Sequence, residues 1–362
     1  MELVIISFLT SVVASLLVIR YTRGHAMFSV ELLDGPQRFH SESVPRIGGV
    51  SLILAALVAF SYTASTGSED AILRWLFLAA SLPAFLAGLV EDVARNVSPH
   101  RRLLMNAASA ALGIWLLDGV LTRTAIPGVD LLIRWYPVAV ALTVFAVTGV
   151  ANAINIIDGF NGLASMCVLI MLLAIGYVAF NVGDIFILTT ALILSGAVLG
   201  FFVWNFPAGL IFLGDGGAYF LGFTLAELGV LLIERNPSVS PLCPLLICVY
   251  PIVETVFSIY RRKFVRGVAA IAPDGIHLHT LLYRRVLRPA THVQQDRRQM
   301  VRNSLTSPYL WALCLASVIP SILWWDNTAV LSVFLLLFVV SYVFLYWRIL
   351  NFKTPKWLLL QR

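Results

Sequence analysis

Apolar stretches long enough to cross a lipid bilayer constrain the fold more than any other feature of this sequence. A bilayer core of about 30 Å needs roughly 20 consecutive apolar residues in a helix. The 362 residues are 59% hydrophobic and only 12% charged, which excludes a soluble globular domain. We expect one all-α, polytopic membrane domain over residues 1–362. We predict eleven transmembrane helices, at residues 3–19, 47–66, 74–92, 103–117, 135–152, 163–181, 184–204, 217–233, 241–260, 307–325 and 329–348.

The distribution of basic residues predicts the orientation. Arg20 and Arg23 follow the first apolar stretch, whereas a cleavable signal peptide carries its positive charge before that stretch. With eleven spans, 21 of the 25 Lys and Arg residues fall on one side of the membrane. The exceptions are Arg74, Arg123, Arg134 and Arg235. Because cytoplasmic loops carry the excess of Lys and Arg, we predict a periplasmic N-terminus and a cytoplasmic C-terminus.

One polar motif lies between the fifth and sixth predicted spans. Four amide or carboxylate side chains recur there at three-residue spacing: Asn152, Asn155, Asp158 and Asn161. On a helix, or on a helix end running into a turn, that spacing places them near one face. Gly159 and Gly162 allow the backbone to turn or to approach a ligand. Simple helix capping explains one such residue better than four, so the motif predicts a binding site.

Carboxylates also stand at the ends of two other spans. Glu91 and Asp92 are adjacent at the end of the third span, and Asp215 lies among glycines just ahead of the eighth. Carboxylates in such places are costly, so a metal or phosphate site is the expected reason for them. The alternatives are a solvated helix terminus for the pair and helix capping for Asp215.

Three further segments are basic. The loop with Asp34, Arg38 and Arg46 is either an ordinary connector or a ligand loop, and Arg101 and Arg102 follow the Glu91–Asp92 pair. The long polar loop 261–306 holds ten basic residues. It also contains His277 and His279, which lack a third zinc ligand nearby. Phosphate or sugar recognition therefore fits them better, while the flanking arginines are also suited to anionic lipid.

The predicted topology places all of these motifs at the cytoplasmic ends of the spans, which points to a single site. Carboxylate and amide oxygens suit Mg²⁺, and Arg and His suit anionic oxygens. Such a set at a membrane edge suits the joining of a soluble phosphorylated donor to a lipid acceptor. A secondary transporter would place its polar groups near the midplane instead. A better alternative to the joining of a phosphorylated donor to a lipid is a polytopic glycosyltransferase, which would move a sugar without its phosphate to the lipid and release UDP.

The motifs resemble those of the polyprenyl-phosphate N-acetylhexosamine-1-phosphate transferases. The resemblance rests on the segments Asn-Ala-Ile-Asn-Ile-Ile-Asp-Gly-Phe-Asn-Gly-Leu and Phe-Leu-Gly-Asp-Gly-Gly-Ala-Tyr, the Glu-Asp pair and His-Leu-His, and it extends from about Asp34 to Arg285. It implies transfer of a sugar 1-phosphate from a UDP-N-acetylhexosamine to polyprenyl (undecaprenyl) phosphate, with release of UMP. The eleven-span pattern is most similar to the branch that initiates O-antigen and teichoic-acid glycans.

The resemblance further implies Mg²⁺ as the cofactor, with Mn²⁺ as its substitute, and a multi-pass location in the bacterial inner membrane with the site facing the cytoplasm. It makes a homodimer plausible, and no nucleic-acid partner is expected. Residue by residue, it implies catalytic roles for Glu91, Asp92, Asp158 and Asp215. It implies metal binding by Asp215 together with Asn155 or Asp92. Nucleotide contacts are implied for Phe212, which would stack on uracil, and for Asp158, Asn161 and Asn152.

The remaining implied roles concern anionic groups. Arg101 or Arg102 and His277 and His279 match groups near the diphosphate and the sugar, and Asp34, Arg38 and Arg46 match lipid-phosphate or loop-supporting positions. Two positions depart from the family pattern. Glu91 stands where an Asp is usual, and Thr280 replaces the last histidine of the His-x-His-His motif. The second departure suggests a modified N-acetylhexosamine as donor.

Overall fold

The computed structural model describes residues 1–24, 44–267, 275–287 and 295–352, and these ranges contain helices and connecting turns but no β-strand. Two single π-helical turns span Arg261–Val265 and Leu282–Val286. The α-helices are α1 (Glu2–Gly24), α2 (Gly49–Ser65), α3 (Ala71–Ala94), α4 (Pro99–Leu117), α5 (Val129–Leu132), α6 (Tyr136–Ile157), α7 (Leu163–Val182), α8 (Ile185–Asn205), α9 (Gly214–Arg235), α10 (Leu242–Ile247), α11 (Val249–Tyr260), α12 (Leu278–Leu281), α13 (Gln295–Leu323) and α14 (Thr328–Leu350).

The predicted all-α polytopic class is confirmed. Within the described residues, eight helices are long and apolar enough to cross a membrane: α1, α3, α6, α7, α8, α9, α13 and α14. The other three predicted windows also contain helices. However, α2 is short, α4 begins at Pro99 with a polar first turn, and the window 241–260 holds two helices. The count of eleven spans and the orientation stay predictions.

Three boundaries differ from the sequence-based prediction for local reasons. The window 241–260 breaks at Cys248 because Pro251 has no N–H to continue the helical bonding pattern. Helix α13 begins at Gln295, inside the predicted polar loop 261–306, because its polar first turns consist mostly of good helix formers. Helix α9 begins at Gly214, so Asp215 lies in its first turn and not ahead of it.

Helix α9 is the centre of the bundle. In its apolar window 94% of the residues are buried, compared with 17% in α14. It packs mainly against α3 and α6, and on its other sides against α2 and α7. Small residues permit the close contacts: a methyl group added at Gly222 would lie 2.5 Å from the Cα atom of Ala151 on α6. Close packing with the surrounding helices therefore fixes the position of α9.

Polar side chains connect the ends of α3, α8 and α9 that lie opposite the carboxylate motifs. Arg74, at the start of α3, is 2% exposed and donates to the hydroxyls of Ser68 (2.9 Å) and Thr189 (2.6 Å). Asp184 caps α8 and accepts from Arg235 at the end of α9 (2.8 Å). These contacts lie at the opposite ends of α3, α8 and α9 from the carboxylate motifs, so the two ends of the bundle are stabilised separately.

Candidate active site

A cavity of about 320 Å³ lies where the end of α6 and the start of α9 meet the segment 276–286, which carries His277 and His279 and is called the histidine segment below. Its lining residues come from four of the sequence motifs, which are distant from one another along the chain. Seven of the predicted site residues line it: Arg46, Asn155, Asp158, Phe212, Asp215, His277 and His279. Thr280, the position that departs from the family pattern, lines it as well.

Three side chains surround the Asp215 carboxylate at the cavity. Its Oδ1 accepts from the Asn155 amide (3.0 Å), and its Oδ2 is paired with Arg102. Arg46 Nη2 stands 3.7 Å from Oδ1. Asp215 is only 8% exposed, and it also occupies the first turn of α9, where the helix dipole favours a negative charge. Two arginines and a helix N-terminus thus surround one buried carboxylate.

Asp92 lies behind Asp215 and binds the backbone of α9. Its two carboxylate oxygens accept the N–H groups of Asp215 (2.9 Å) and Gly216 (2.9 Å). These are N–H groups at a helix start, which have no partner within the helix. Asp92 on α3 therefore caps α9 from a different helix. Its neighbour Glu91 points elsewhere and accepts from the N–H of Val97 (2.8 Å), in the turn that follows α3. Neither carboxylate lines the cavity.

The first basic loop reaches the site by backbone pairing. The Phe212 N–H donates to the Pro45 carbonyl (2.9 Å), and the Gly48 N–H donates to the Phe212 carbonyl (3.0 Å). This pairing carries Arg46 to Asp215 and places the Phe212 ring at the cavity. Asp34 and Arg38, predicted to belong to the same loop, lie outside the described residues.

The four residues at three-residue spacing do not share one face, and α6 ends at Ile157, before Asp158 and Asn161. Asn155 and Asp158 line the cavity. Asn152 instead donates to the Thr148 carbonyl of its own helix (2.8 Å). Asn161 is 1% exposed, and its N–H donates to Asn303 on α13 (2.8 Å). The expectation of one shared face is therefore met by two residues of the four.

The histidines form the opposite wall of the cavity. The rings of His277 and His279 are stacked with centroids 5.1 Å apart, and Phe160 meets His279 edge-on at 5.5 Å. Glu254 on α11 is 1% exposed; its Oε1 lies 3.0 Å from His277 Nδ1 and accepts from the Leu278 N–H (3.0 Å). Glu254 thus supports the histidine segment from outside the cavity.

Most described arginines of the long loop bind the protein itself. Arg261 donates to the Ile276 carbonyl (3.0 Å), Arg285 to the Ile349 carbonyl (3.1 Å) and Arg302 to the Tyr283 carbonyl (2.8 Å). Arg101 is exposed, and Arg102 is the arginine of that pair which reaches Asp215. Among the described residues, basic side chains near the cavity are therefore fewer than the sequence suggests, and Arg46 and Arg102 are the ones that lie against Asp215.

The donor set of the cavity fits a hard divalent cation. Asp158 and Asp215 line the cavity with carboxylates, and Asn155 lines it beside Asp215, to which its amide donates (3.0 Å). Among the residues that the structure describes, no three His, Cys, Asp or Glu side chains form a metal cluster. The pair of carboxylates suits Mg²⁺, which usually takes one or two carboxylates and completes its shell with water and substrate phosphates. Asp92, a predicted ligand, directs both oxygens to the α9 backbone.

Sequence reasoning missed residues of α13 and α14 that support the surroundings of the cavity, although they are distant from it along the chain. Asn303 and Ser307 on α13 bind the backbone of Asn161 (2.8 and 2.6 Å), and Tyr342 on α14 donates to Glu254 (2.8 Å). They lie about 80 to 150 positions away along the chain from the groups they bind. A single tyrosine or serine in an apolar helix gives no signal of such a role.

This fold and site define a class of multi-pass membrane transferases, and comparison with known proteins agrees. The profile of glycosyl transferase family 4 matches residues 74–233. An undecaprenyl-phosphate alpha-N-acetylglucosaminyl 1-phosphate transferase of Thermotoga maritima is 30% identical over 258 residues, which cover 71% of this chain and 74% of the relative. A probable undecaprenyl-phosphate N-acetylglucosaminyl 1-phosphate transferase of Bacillus subtilis is 25% identical over 279 residues, 76% of each chain.

A second group of relatives carries a different name. A phospho-N-acetylmuramoyl-pentapeptide-transferase of Streptococcus thermophilus is 30% identical over 212 residues, which cover 55% of this chain and 62% of the relative. The chain belongs to the polyprenyl-phosphate N-acetylhexosamine-1-phosphate transferase superfamily, within glycosyl transferase family 4. The predicted family is thereby confirmed, and the chain is a phospho-sugar transferase of the membrane.

Proposed function

We propose that this protein transfers an N-acetylhexosamine 1-phosphate from its UDP derivative to undecaprenyl phosphate and releases UMP. The observation that carries this proposal is the cavity itself. At the ends of apolar helices it combines two carboxylates, a nearby pair of arginines and a histidine wall. The names of the Thermotoga and Bacillus relatives support both the phosphosugar transfer and the lipid acceptor.

We assign Mg²⁺ binding to Asp215 and Asp158, with Asn155 beside them, and Mn²⁺ would occupy the same oxygen donors. When bound, the cation neutralises charge on the phosphate oxygens. Asp215 remains fixed for this role because Asp92 holds the backbone of its helix turn and Arg102 pairs with its carboxylate. Asp92 therefore contributes to the site by positioning Asp215.

The main physical obstacle is the approach of two anions. A phosphate monoester has a second pKa near ~6, so the acceptor is mostly a dianion at neutral pH and needs no strong base. Unit charges about 4 Å apart repel by roughly 4 kcal/mol at an effective dielectric constant of ~20. Arg46 and Arg102 supply positive charge at this point. The attacking oxygen of the acceptor forms a bond to the β-phosphorus of the donor, and the bond from that phosphorus to the UMP oxygen breaks.

The donor is assigned to the side of the cavity between Phe212 and the histidines. Phe212, Asp158 and the two histidines all line the cavity. The Phe212 ring is suited to stacking on uracil, and we assign Asp158 to the nucleotide and the histidines to the diphosphate and sugar. Thr280 stands where a further histidine is usual in the family, so we assign a modified N-acetylhexosamine as the preferred donor. Asn152, Asn161 and Arg101 are not among the described residues that line the cavity, so we assign them no direct role.

The product would be the first lipid-linked intermediate of a cell-envelope glycan such as O-antigen. This assignment extends the function of the relatives to the branch that the eleven-span pattern resembles. The protein would then act in the bacterial inner membrane, with the cavity on the cytoplasmic side, and a homodimer is compatible with the exposed apolar surfaces of α1 and α14.

The test is turnover of the purified protein with undecaprenyl phosphate, Mg²⁺ and a panel of UDP-N-acetylhexosamines, with identification of the nucleotide product. UMP that appears only with both lipid and Mg²⁺ is the expected result, and the fastest donor identifies the sugar. Release of UDP would instead establish an ordinary glycosyltransferase. Addition of EDTA should stop the reaction, and excess Mg²⁺ or Mn²⁺ should restore it. No product from any donor would refute the proposal for these substrates.

A further inference from the structure

Helix α14 contacts the histidine wall through the hydroxyl of a buried tyrosine. Tyr342 donates to Glu254 Oε2 (2.8 Å), while the other oxygen of Glu254 accepts from the Leu278 N–H (3.0 Å) and faces His277 Nδ1 (3.0 Å). Tyr342 and Glu254 are 0% and 1% exposed. Because a buried carboxylate is stable only with such donors, Tyr342 helps to keep Glu254 charged and in place.

A second tyrosine of α14 ties down the start of the histidine segment. Tyr346 donates to the Ile276 carbonyl (2.9 Å), and Arg261 binds both that carbonyl (3.0 Å) and the Tyr346 hydroxyl. At the other end of the segment, Arg285 donates to the Ile349 carbonyl of α14 (3.1 Å). Helix α14 is thus bonded to the segment 276–286 near both of its ends.

The histidine segment depends on these bonds because it has little structure of its own. Helix α12 has four residues and is followed by one π-helical turn. Helices this short are unstable in isolation. The contact between Glu254 and Nδ1 also fixes the ring of His277, which lines the cavity. The orientation of His277 is therefore set from outside the cavity.

We propose that Tyr342 is a positioning residue of the active site, which acts through Glu254 to hold His277 and His279 against the donor sugar nucleotide. The identity of that ligand rests on the proposed function, whereas the positioning itself does not. The terminal helix α14 lies outside the residues matched by the family profile, so this role belongs to a part of the chain that the profile does not cover.

The first test is the kinetics of Tyr342→Phe, which removes one hydroxyl from a buried ring. We expect the KM for the UDP-sugar to rise about tenfold, in line with the loss of one hydrogen bond to a charged group, and the KM for undecaprenyl phosphate to stay within about twofold. The matched control is Tyr250→Phe on α11. Tyr250 is equally buried, and its hydroxyl has no hydrogen-bond partner within the described residues. Its kinetics should not change.

The second test measures how often the segment 276–286 opens, and it does not depend on enzyme activity. The four native cysteines are buried, at 0–3% exposed, so a cysteine introduced by Thr280→Cys would dominate labelling by a water-soluble maleimide. Combined with Tyr342→Phe, this labelling should become about tenfold faster, because the segment opens more often. Combined with Tyr250→Phe, the labelling rate should equal that of Thr280→Cys alone.

The two tests separate this inference from the proposed function. If no UDP-sugar is turned over, the proposed function fails, and the labelling rates alone decide the positioning role. Equal labelling with and without Tyr342→Phe would overturn the inference, whatever the activity. An equal rise of both KM values together with a lower melting temperature would also overturn it, since that pattern describes a general loss of stability.

Discussion

The two walls of the cavity are built in different ways. The carboxylate wall carries Asp215, with Asp92 behind it, and consists of helices whose backbones are in direct contact. The histidine wall, with His277 and His279, is a short segment held by side chains of α11 and α14. The first wall is fixed by close packing of the bundle, and the second by a few hydrogen bonds between residues distant in sequence.

The two walls should respond differently to amino-acid substitution. In the carboxylate wall, Gly88 on α3 lies so close to the Asp215–Gly216 backbone that no side chain fits between them. Displacement of Asp215 therefore requires displacement of a helix. In the histidine wall, loss of one hydroxyl group removes part of the support while the helices stay in place. The carboxylate wall should thus respond to substitution with large losses, and the histidine wall with graded ones.

The largest effect is expected for Asp215→Asn. The substitution removes the negative charge that pairs with Arg102 and contributes a cation ligand in our proposal, so turnover should fall on the order of 1,000-fold. Asp184→Asn is the matched control, because Asp184 is also 8% exposed, also stands at the start of a helix and also pairs with an arginine, at the other end of the bundle. It should lower the melting temperature and leave turnover within about twofold. Near-normal turnover of Asp215→Asn would refute the metal assignment.

Asp92→Asn should have the second-largest effect. An amide accepts one of the two α9 N–H groups but presents its own N–H₂ to the other, so the first turn of α9 and Asp215 shift. A displacement of this kind costs on the order of 100-fold in kcat, with little change in the KM for the UDP-sugar. Steady-state kinetics in both substrates measures the two effects separately.

Glu91→Gln is the control for that variant. Gln keeps an oxygen that accepts from the Val97 N–H, so kcat should stay within about twofold. A catalytic role for Glu91, as the family resemblance implies, predicts a loss as large as that of Asp92→Asn. The pair of variants therefore decides which carboxylate of the motif the reaction needs.

Much of this architecture follows from the sequence, and the exceptions have physical reasons. Apolar length identified the helices, and motifs at their ends identified the residues of the cavity, because both signals are local. The end of α6 at Ile157 was not predicted, and it turns Asn161 away from the cavity toward α13. The role of Asp92 as a cap of α9 was also not predicted, since it depends on how α3 and α9 cross.

The histidine wall shows the limit of local signals more clearly. His277 and His279 were identified by their motif, but Tyr342 lies in an apolar helix beyond the polar loop. Nothing in its neighbourhood distinguishes it from a tyrosine that faces lipid. Contacts of this kind become visible only when the helices are placed relative to one another.

Gly88→Ala tests the close packing of the carboxylate wall. The added methyl group would lie 2.5 Å from the Gly216 Cα atom, so α3 and α9 must separate. Overpacking of this kind costs about 1–3 kcal/mol, which should appear as a lower melting temperature together with reduced turnover. Gly149→Ala on α6 is the control, because a methyl group there meets nothing within 4 Å. If Gly88→Ala melts like the parent protein, the wall is less rigid than its packing indicates.

The smallest loss of activity is expected for Asn155→Ala, and it distinguishes Asn155 from Asn152 of the same motif. Asn155 donates to Asp215 Oδ1 (3.0 Å), and its loss in Asn155→Ala removes one hydrogen bond to a charged group. We expect kcat/KM to fall about tenfold. Asn152 binds only the Thr148 carbonyl of its own helix among the contacts in the described structure, so Asn152→Ala should change kcat/KM by no more than about twofold. Equal losses would mean that the motif acts as one face after all, and that Asn152 reaches the substrate in the working enzyme.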